Sequence, residues 1–259
     1  MRKRVDYDEV AGQYDRRYAE TDFGGIEAAI LRFAGTDKGR RVLEVGCGTG
    51  HWLAILDTHG FSVAGVDTSQ QMLELARGRV PNTVLKQGAA HQLPFDDHSF
   101  DRLFCVNAIH HFDHKPGFLE EARRVLRAAG GVLVVGLDPW TGLDRWCVYD
   151  FFDGALDADR RRYPSTLEVE RWMSAAGFSD CCTDLVYHMQ RLFPAGEALA
   201  SGLLQKTTVS QLSILNEAEY QRGLEKIRQS TAEAEARGEP FHLVVDLNFY
   251  ATIGWIGRS

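Results

Sequence analysis

Across residues 1–40 apolar positions recur at helical spacing. Val10, Tyr14 and Tyr18 form one stripe and Ile26, Ile30 and Phe33 another, so one or two short amphipathic helices are expected. The period then changes. Residues 42–45 (VLEV) are an apolar run of strand length that ends in glycines, and residues 51–59 return to helical spacing. The alternation repeats, with a strand at 61–67, a helix at 69–79 capped by Thr68 or Ser69, and strands at 83–88 and 100–107. A helix at 115–127 and a strand at 131–138 complete it. Strands and helices alternating at this interval form right-handed βαβ units around a parallel sheet. Strands that are apolar almost throughout belong to a sheet covered on both faces.

Past residue 138 the rhythm loosens. Trp140, Trp146, Tyr149, Phe151, Phe152 and Tyr163 are scattered among charges without a clear period. A helix is expected at 166–176, ended by Gly177, then a strand at 181–191. Residues 194–238 read as helical, most clearly 217–237 with its Tyr220, Leu224 and Ile227 stripe, until Gly238 and Pro240 stop it. Residues 242–254 read as a long closing strand. No repeat, low-complexity tract or Gly/Ser linker divides the chain, so one domain carrying insertions is expected.

Composition removes several function classes. The 259 residues are 44% hydrophobic and 25% charged, with a net charge of −7, an ordinary globular balance without the clustered cations that bind polyanions. The basic runs at residues 2–4 and 160–162 are short and flanked by acids, as on a solvated surface. No apolar run reaches membrane-helix length, and the N-terminus lacks a secretory pattern, so a cytoplasmic protein is expected. Cys47, Cys105, Cys147, Cys181 and Cys182 make no C-x-x-C pair and read as reduced thiols. No metal site is expected, although His110, His111 and His114 lie close together in sequence.

The chemistry concentrates in residues 42–50, VLEVGCGTG. Gly46, Gly48 and Gly50 let a strand-to-helix turn adopt positive φ and let a ligand approach the backbone, at the C-terminal edge of the sheet. Asp67 ends the next strand, 17 residues past Gly50, where a carboxylate can accept from both hydroxyls of a ribose. A dinucleotide would need G-x-G-x-x-G to seat its pyrophosphate. Here the third glycine position is His51 or Leu53, according to the starting glycine.

The E-x-G-x-G-x-G spacing resembles the class I S-adenosylmethionine-dependent methyltransferases. The likeness continues in family order through GVDTSQQMLELAR (residues 65–77), GAAHQLPFDDHSFD (88–101), NAIHHF (107–112) and FLEEARRVLRAAGGVLVV (118–135). These segments resemble the branch that includes ubiquinone- and menaquinone-type and many small-molecule enzymes. The resemblance implies an α/β Rossmann-like fold, with a mostly parallel seven-stranded sheet, helices on both faces and a helical cap. It implies S-adenosylmethionine as cofactor and S-adenosylhomocysteine as product. Glu44 would lie near the methionine amino group, and Gly46, Cys47, Gly48 and Gly50 would line methionine and ribose. Asp67 would hold the ribose hydroxyls, Thr68 and Met72 the adenine surroundings, Ala89 and Ala90 the adenine edge, and Asn107 the methionine moiety. The family often has Asp where Ala89 stands, so a backbone contact or His91 would substitute. On this reading residues 1–40 are a helical lid with Tyr14 facing the cofactor, and 41–138 the cofactor-binding core. Residues 139–164 and 190–240 are cap insertions, and 241–259 the closing strand.

His110 and His111 follow the fourth strand, and either could serve as general base for an acceptor proton. Tyr18, Phe23, Trp140, Phe151 and Phe152 are candidates for an apolar acceptor pocket. The expected activity is methyl transfer to O, N, C or S of a small molecule, with no nucleic-acid or membrane partner. Two alternatives stay open: a non-catalytic S-adenosylmethionine sensor and an NAD-dependent oxidoreductase.

Overall fold

The computed structural model describes residues 21–206 and 209–257. Helix α1 (Gly24–Ala34) leads into β1 (Arg41–Val45), α2 (His51–Thr58), β2 (Ser62–Asp67), α3 (Gln70–Arg79) and β3 (Val84–Gln87). There follow β4 (Phe100–Val106), a 3₁₀ turn at Ile109–His111, α4 (Lys115–Val125) and β5 (Leu126–Leu137). Ser69 is the cap of α3, accepting from the Met72 backbone N–H at 3.1 Å, which settles the choice between Thr68 and Ser69.

Strands run in the order β3-β2-β1-β4-β5, all parallel, followed by antiparallel β8 (His242–Trp255). β7 (Ser179–Pro194) pairs antiparallel with the opposite edge of β8. Among the described residues the sheet has eight strands where seven were expected. The addition is β6 (Arg145–Trp146), which pairs with Val245 and Asp246 where β5 has already ended. Two residues are too short for a period, so the segment carries no strand signal. β7 also begins and ends beyond the expected 181–191.

Two apolar clusters fill the faces of the sheet. One joins Leu43, Leu103 and Val132 to Phe118 and Leu119 of α4 and to Met173 of α7 (Thr166–Ala175). The other joins Val42, Phe104 and Leu133 to Ile26, Ile30 and Phe33 of α1 and to Trp52 of α2. Helix α1 therefore packs as a core helix, whereas the resemblance had implied a lid over residues 1–40. Its apolar residues bury against the sheet, and the buried Arg102 donates from Nε to the Phe33 carbonyl at 3.1 Å. Tyr14 and Tyr18 lie outside the described residues.

A third cluster belongs to the helical cap. It combines α5 (Cys147–Phe151), α6 (Ala155–Arg162), α8 (Ala195–Ala200), α9 (Ser210–Ser213) and α10 (Glu217–Ala236) around Val148, Phe152, Leu212 and Ile227. Among the described residues the 194–238 stretch holds three separate helices, not one continuous helical run. Helix α10 is opened by a capping box between Asn216 and Glu219. It approaches Phe152 so closely that a Cβ at Gly223 would lie 2.2 Å from the ring. In an open helix Gly→Ala stabilises by about 1 kcal/mol. Here the overlap reverses the sign, and Gly223→Ala should lower the unfolding free energy by about 1–2 kcal/mol. Combined with Phe152→Leu, its cost should be smaller than the sum of the two alone. Urea denaturation of the four proteins in the cycle measures this, and additive effects would contradict the contact.

Candidate functional site

The C-terminal ends of β3, β2, β1 and β4 lie side by side, and the turns after them enclose a cavity. About 730 Å³ of empty space, open solvent at its mouth included, lies within it. Gly46 and Gly48 form its floor, with φ of 75° and 50°. A Cβ on Gly46 would fall 2.5 Å from that of Ala108, so the turn after β1 can sit against the turn after β4 only as glycine.

Asp67 joins the turns after β1 and β2. One carboxylate oxygen accepts from the Gly48 N–H at 2.8 Å and the other from the Ser69 N–H at 2.9 Å. The side chain is thereby oriented at the cavity wall, beside Thr68 and Met72. Gly88, Ala89, Ala90 and His91 close the side beyond β2 and β3. At the β4 side the wall is Asn107, Ala108, His111, Phe112 and Asp113. Asn107 has φ 49°, a left-handed conformation that asparagine tolerates better than most residues. Its N–H donates to the Val135 carbonyl at 2.8 Å.

Glu44 sits behind this floor, only 1% exposed, and its Oε2 has no hydrogen-bond partner among the described residues. Burial pushes its carboxyl well above the ordinary glutamate range. Nearby Asp67 adds to the rise, and a hydrogen bond from the Leu53 backbone opposes it. Such an orphaned oxygen is what a cationic ligand group would satisfy. Cys47 is buried beside it, its thiol raised by burial first and then by Glu44 and Asp67. It is packing, as is Cys105.

The cavity therefore brings together Gly46, Gly48, Asp67, Thr68, Met72, Ala89, Ala90, Asn107 and His111, while Glu44, Cys47 and Gly50 support it from outside its lining. Other expected residues stand elsewhere. His110 is buried and stacked on Tyr163, with ring centroids 3.9 Å apart. Phe23 packs on Trp52, Tyr187 and Phe249. Phe151 and Phe152 belong to the cap cluster, and Trp140 is 53% exposed with its Nε1 donating to the Tyr163 carbonyl. None of these four aromatic residues lines the cavity, because aromatic character alone does not separate packing from a pocket wall. The sequence reading missed Phe112 and Asp113 as wall residues, although NAIHHF had marked their segment. Among the described residues no group of three His, Cys, Asp or Glu converges on a metal-sized site, and no helix is long and apolar enough to cross a membrane.

Residues 43–135 match the family described as methyltransferase domain. The chain is 36% identical over 123 residues to the phthiotriol/phenolphthiotriol dimycocerosates methyltransferase of Mycobacterium leprae, covering 46% of this chain and 45% of that protein. It is 32% identical over 133 residues to the demethylmenaquinone methyltransferase of Tropheryma whipplei, covering 49% and 56%. The chain thus spans about half the length of the curated relatives it matches. Its fold resembles Haemonchus contortus phosphoethanolamine N-methyltransferase 2, a structure in complex with S-adenosyl-L-methionine. The TM-score is 0.62 at 18% identity, over 97% of this chain and 57% of that one. Residues 43–135, which carry the glycine turn and Asp67, are therefore similar to the methyltransferase domain family, and the fold of the chain resembles that of a solved S-adenosylmethionine-dependent methyltransferase.

Proposed function

We propose that the chain binds S-adenosylmethionine in this cavity and transfers its methyl group to an O, N, C or S atom of a small molecule. The observation that carries the reading is Asp67, held by two backbone N–H groups at the wall of a glycine-floored cavity. On this reading Asp67 receives the ribose hydroxyls, Thr68, Met72, Ala89 and Ala90 border the adenine, and Asn107 stands by the methionine. Glu44 meets the amino group, and His91 or backbone takes the place of the acid absent at Ala89. The cofactor supplies an activated methyl, and in-line displacement forms the bond to the acceptor as the carbon–sulfur bond breaks, leaving S-adenosylhomocysteine. The protein's part is alignment, which contributes up to roughly 7–11 kcal/mol in well-oriented reactions. His111, on the cavity wall, is the better placed of the two histidines to take an acceptor proton. The acidic net charge supports a small-molecule acceptor over a nucleic acid. Calorimetric titration with S-adenosylmethionine and with NAD tests the cofactor, and an acceptor screen for S-adenosylhomocysteine release tests turnover. Binding of NAD alone would overturn the reading, and binding without turnover across a broad screen would favour a sensor.

Asp67→Ala should weaken S-adenosylmethionine binding by about 1.5–3 kcal/mol, the range for hydrogen bonds to a charged group. An unchanged dissociation constant in a folded variant would contradict the ribose assignment.

Glu44 predicts a pH dependence. Its carboxyl holds a proton above the ordinary range in the free protein, and a cationic amino group would favour the ionised form. Binding should then release a proton, and affinity should rise with pH until Glu44 is ionised in the free protein as well. For folding the sign is opposite, since a raised carboxyl contributes stability at low pH that is lost as pH rises through its folded value. Glu44→Gln should abolish the proton release and flatten both slopes. Titrations in buffers of different ionisation enthalpy, together with urea midpoints across pH, measure these effects.

A further inference from the structure

The 3₁₀ turn after β4 carries two histidines with different surroundings. His111 lines the cavity, whereas His110 is buried beside it. Their rings are 3.8 Å apart between centroids, with planes inclined by 48°. Tyr163 also stacks on His110, its ring nearly parallel at 14° with centroids 3.9 Å apart. Tyr163 comes from the cap, at the end of α6, and the cap grips it at several points. Its N–H donates to the Asp159 carbonyl at 2.7 Å, and its own carbonyl accepts from Trp140 Nε1 at 3.1 Å. Its hydroxyl accepts from Gln211 Nε2 of α9 at 3.3 Å. Asp159 is wholly buried, accepts from the Tyr149 hydroxyl at 2.8 Å and pairs with Arg162. Gln211 hydrogen-bonds to it as well.

This polar cluster is costly to bury. Taking Asp159 from water disfavours its charged form, and its carboxyl is raised despite the opposing Arg162, Tyr149 and Gln211. Apolar residues would pack the cap at lower cost, but they would not set the direction of the Tyr163 ring. Hydrogen bonds at both the backbone and the hydroxyl fix the plane of that ring, and a fixed ring restricts the imidazole stacked on it.

We infer that Tyr163 is a positioning residue. Held by the Asp159–Gln211 cluster of the cap, it orients His110 and through it the His111 turn that walls the cofactor cavity. The cap and the cavity are therefore mechanically joined through one aromatic stack. The inference rests on the reading of the cavity as an S-adenosylmethionine site.

The test uses the full chain, S-adenosylhomocysteine as probe, and isotope-labelled histidine ring signals assigned with His110→Gln and His111→Gln. In the wild type the His110 signal should carry the ring-current displacement of a stacked neighbour, and the probe should move the His111 signal. Tyr163→Leu should abolish the first, shift the free His111 signal, and weaken probe binding by roughly three- to tenfold, as for loss of one aromatic stack. Tyr163→Phe keeps the ring but loses the hydroxyl tether, and should restore most of all three readouts. Gln211→Met removes the same tether together with its bond to Asp159 and should shift the His110 signal by less than the leucine variant, so the inference stays open to refutation if the leucine variant does not fold. A His111 signal and probe affinity unchanged in folded Tyr163→Leu, or a Tyr163→Phe variant that behaves like it, overturns the inference while the cofactor reading stands. A wild-type chain that does not bind S-adenosylhomocysteine overturns both.

Discussion

Two backbone N–H groups, of Gly48 and Ser69, converge on the carboxylate of Asp67, and the architecture of the cavity depends on that convergence. The first belongs to the turn after β1 and the second to the residue that caps α3. By accepting from both, Asp67 holds two separate βα connections in one register. The turn after β1 must be glycine-rich for this, because its backbone passes close to Ala108 and runs at positive φ. A neighbouring strand then supplies Asn107 in a left-handed conformation, completing a wall built mostly from main chain. Several of these peptide groups are held, Gly46 by the Val66 carbonyl, Gly48 by Asp67 and Asn107 by the Val135 carbonyl.

Glu44 illustrates the tension between site and core. A buried carboxylate with an unpartnered oxygen costs stability, and an apolar residue in its place would pack without that loss. The strand keeps it immediately before the glycine turn, where its oxygen faces the region of Asp67 and Cys47. Asp67 lies close to Glu44 and disfavours its ionisation. A cation placed between them would relieve the repulsion.

The part of the fold readable from sequence is the part governed by local rules. Apolar runs of strand length, Ser69 as a cap and glycines after β1 depend on neighbours a few residues away, so β1 to β4 and the helices between them emerge with nearly correct bounds, while β5 starts at Leu126, inside the expected helix and ahead of the expected 131–138. Asp67 was legible because its place at a strand end has one geometrical meaning in a parallel sheet. Long-range packing was not legible. Ile26, Ile30 and Phe33 form the same stripe whether a helix lies on the sheet or closes over a ligand, and only the buried contacts with Phe104 and Leu133 decide. Likewise Phe152 and Trp140 are both aromatic residues in an aperiodic stretch, yet one is buried beneath Gly223 and the other is half exposed. His110 and His111 are adjacent and identical in type, and the 3₁₀ turn alone sends them to different surroundings.

The cap cluster touches the sheet clusters through only a few shared residues, among them Trp146 of β6 and Val245 of β8, which pack against both. Chain enters the cap after β5 and after β7, and returns in each case to a strand paired with β8 or to β8 itself. Both insertions are therefore spliced onto a single antiparallel strand, away from the glycine turn. Changes in the helices around Phe152 therefore load β8 first and leave the register of the parallel strands untouched, whereas a change that shifts the Tyr163–His110 stack reaches the turn beside the cavity.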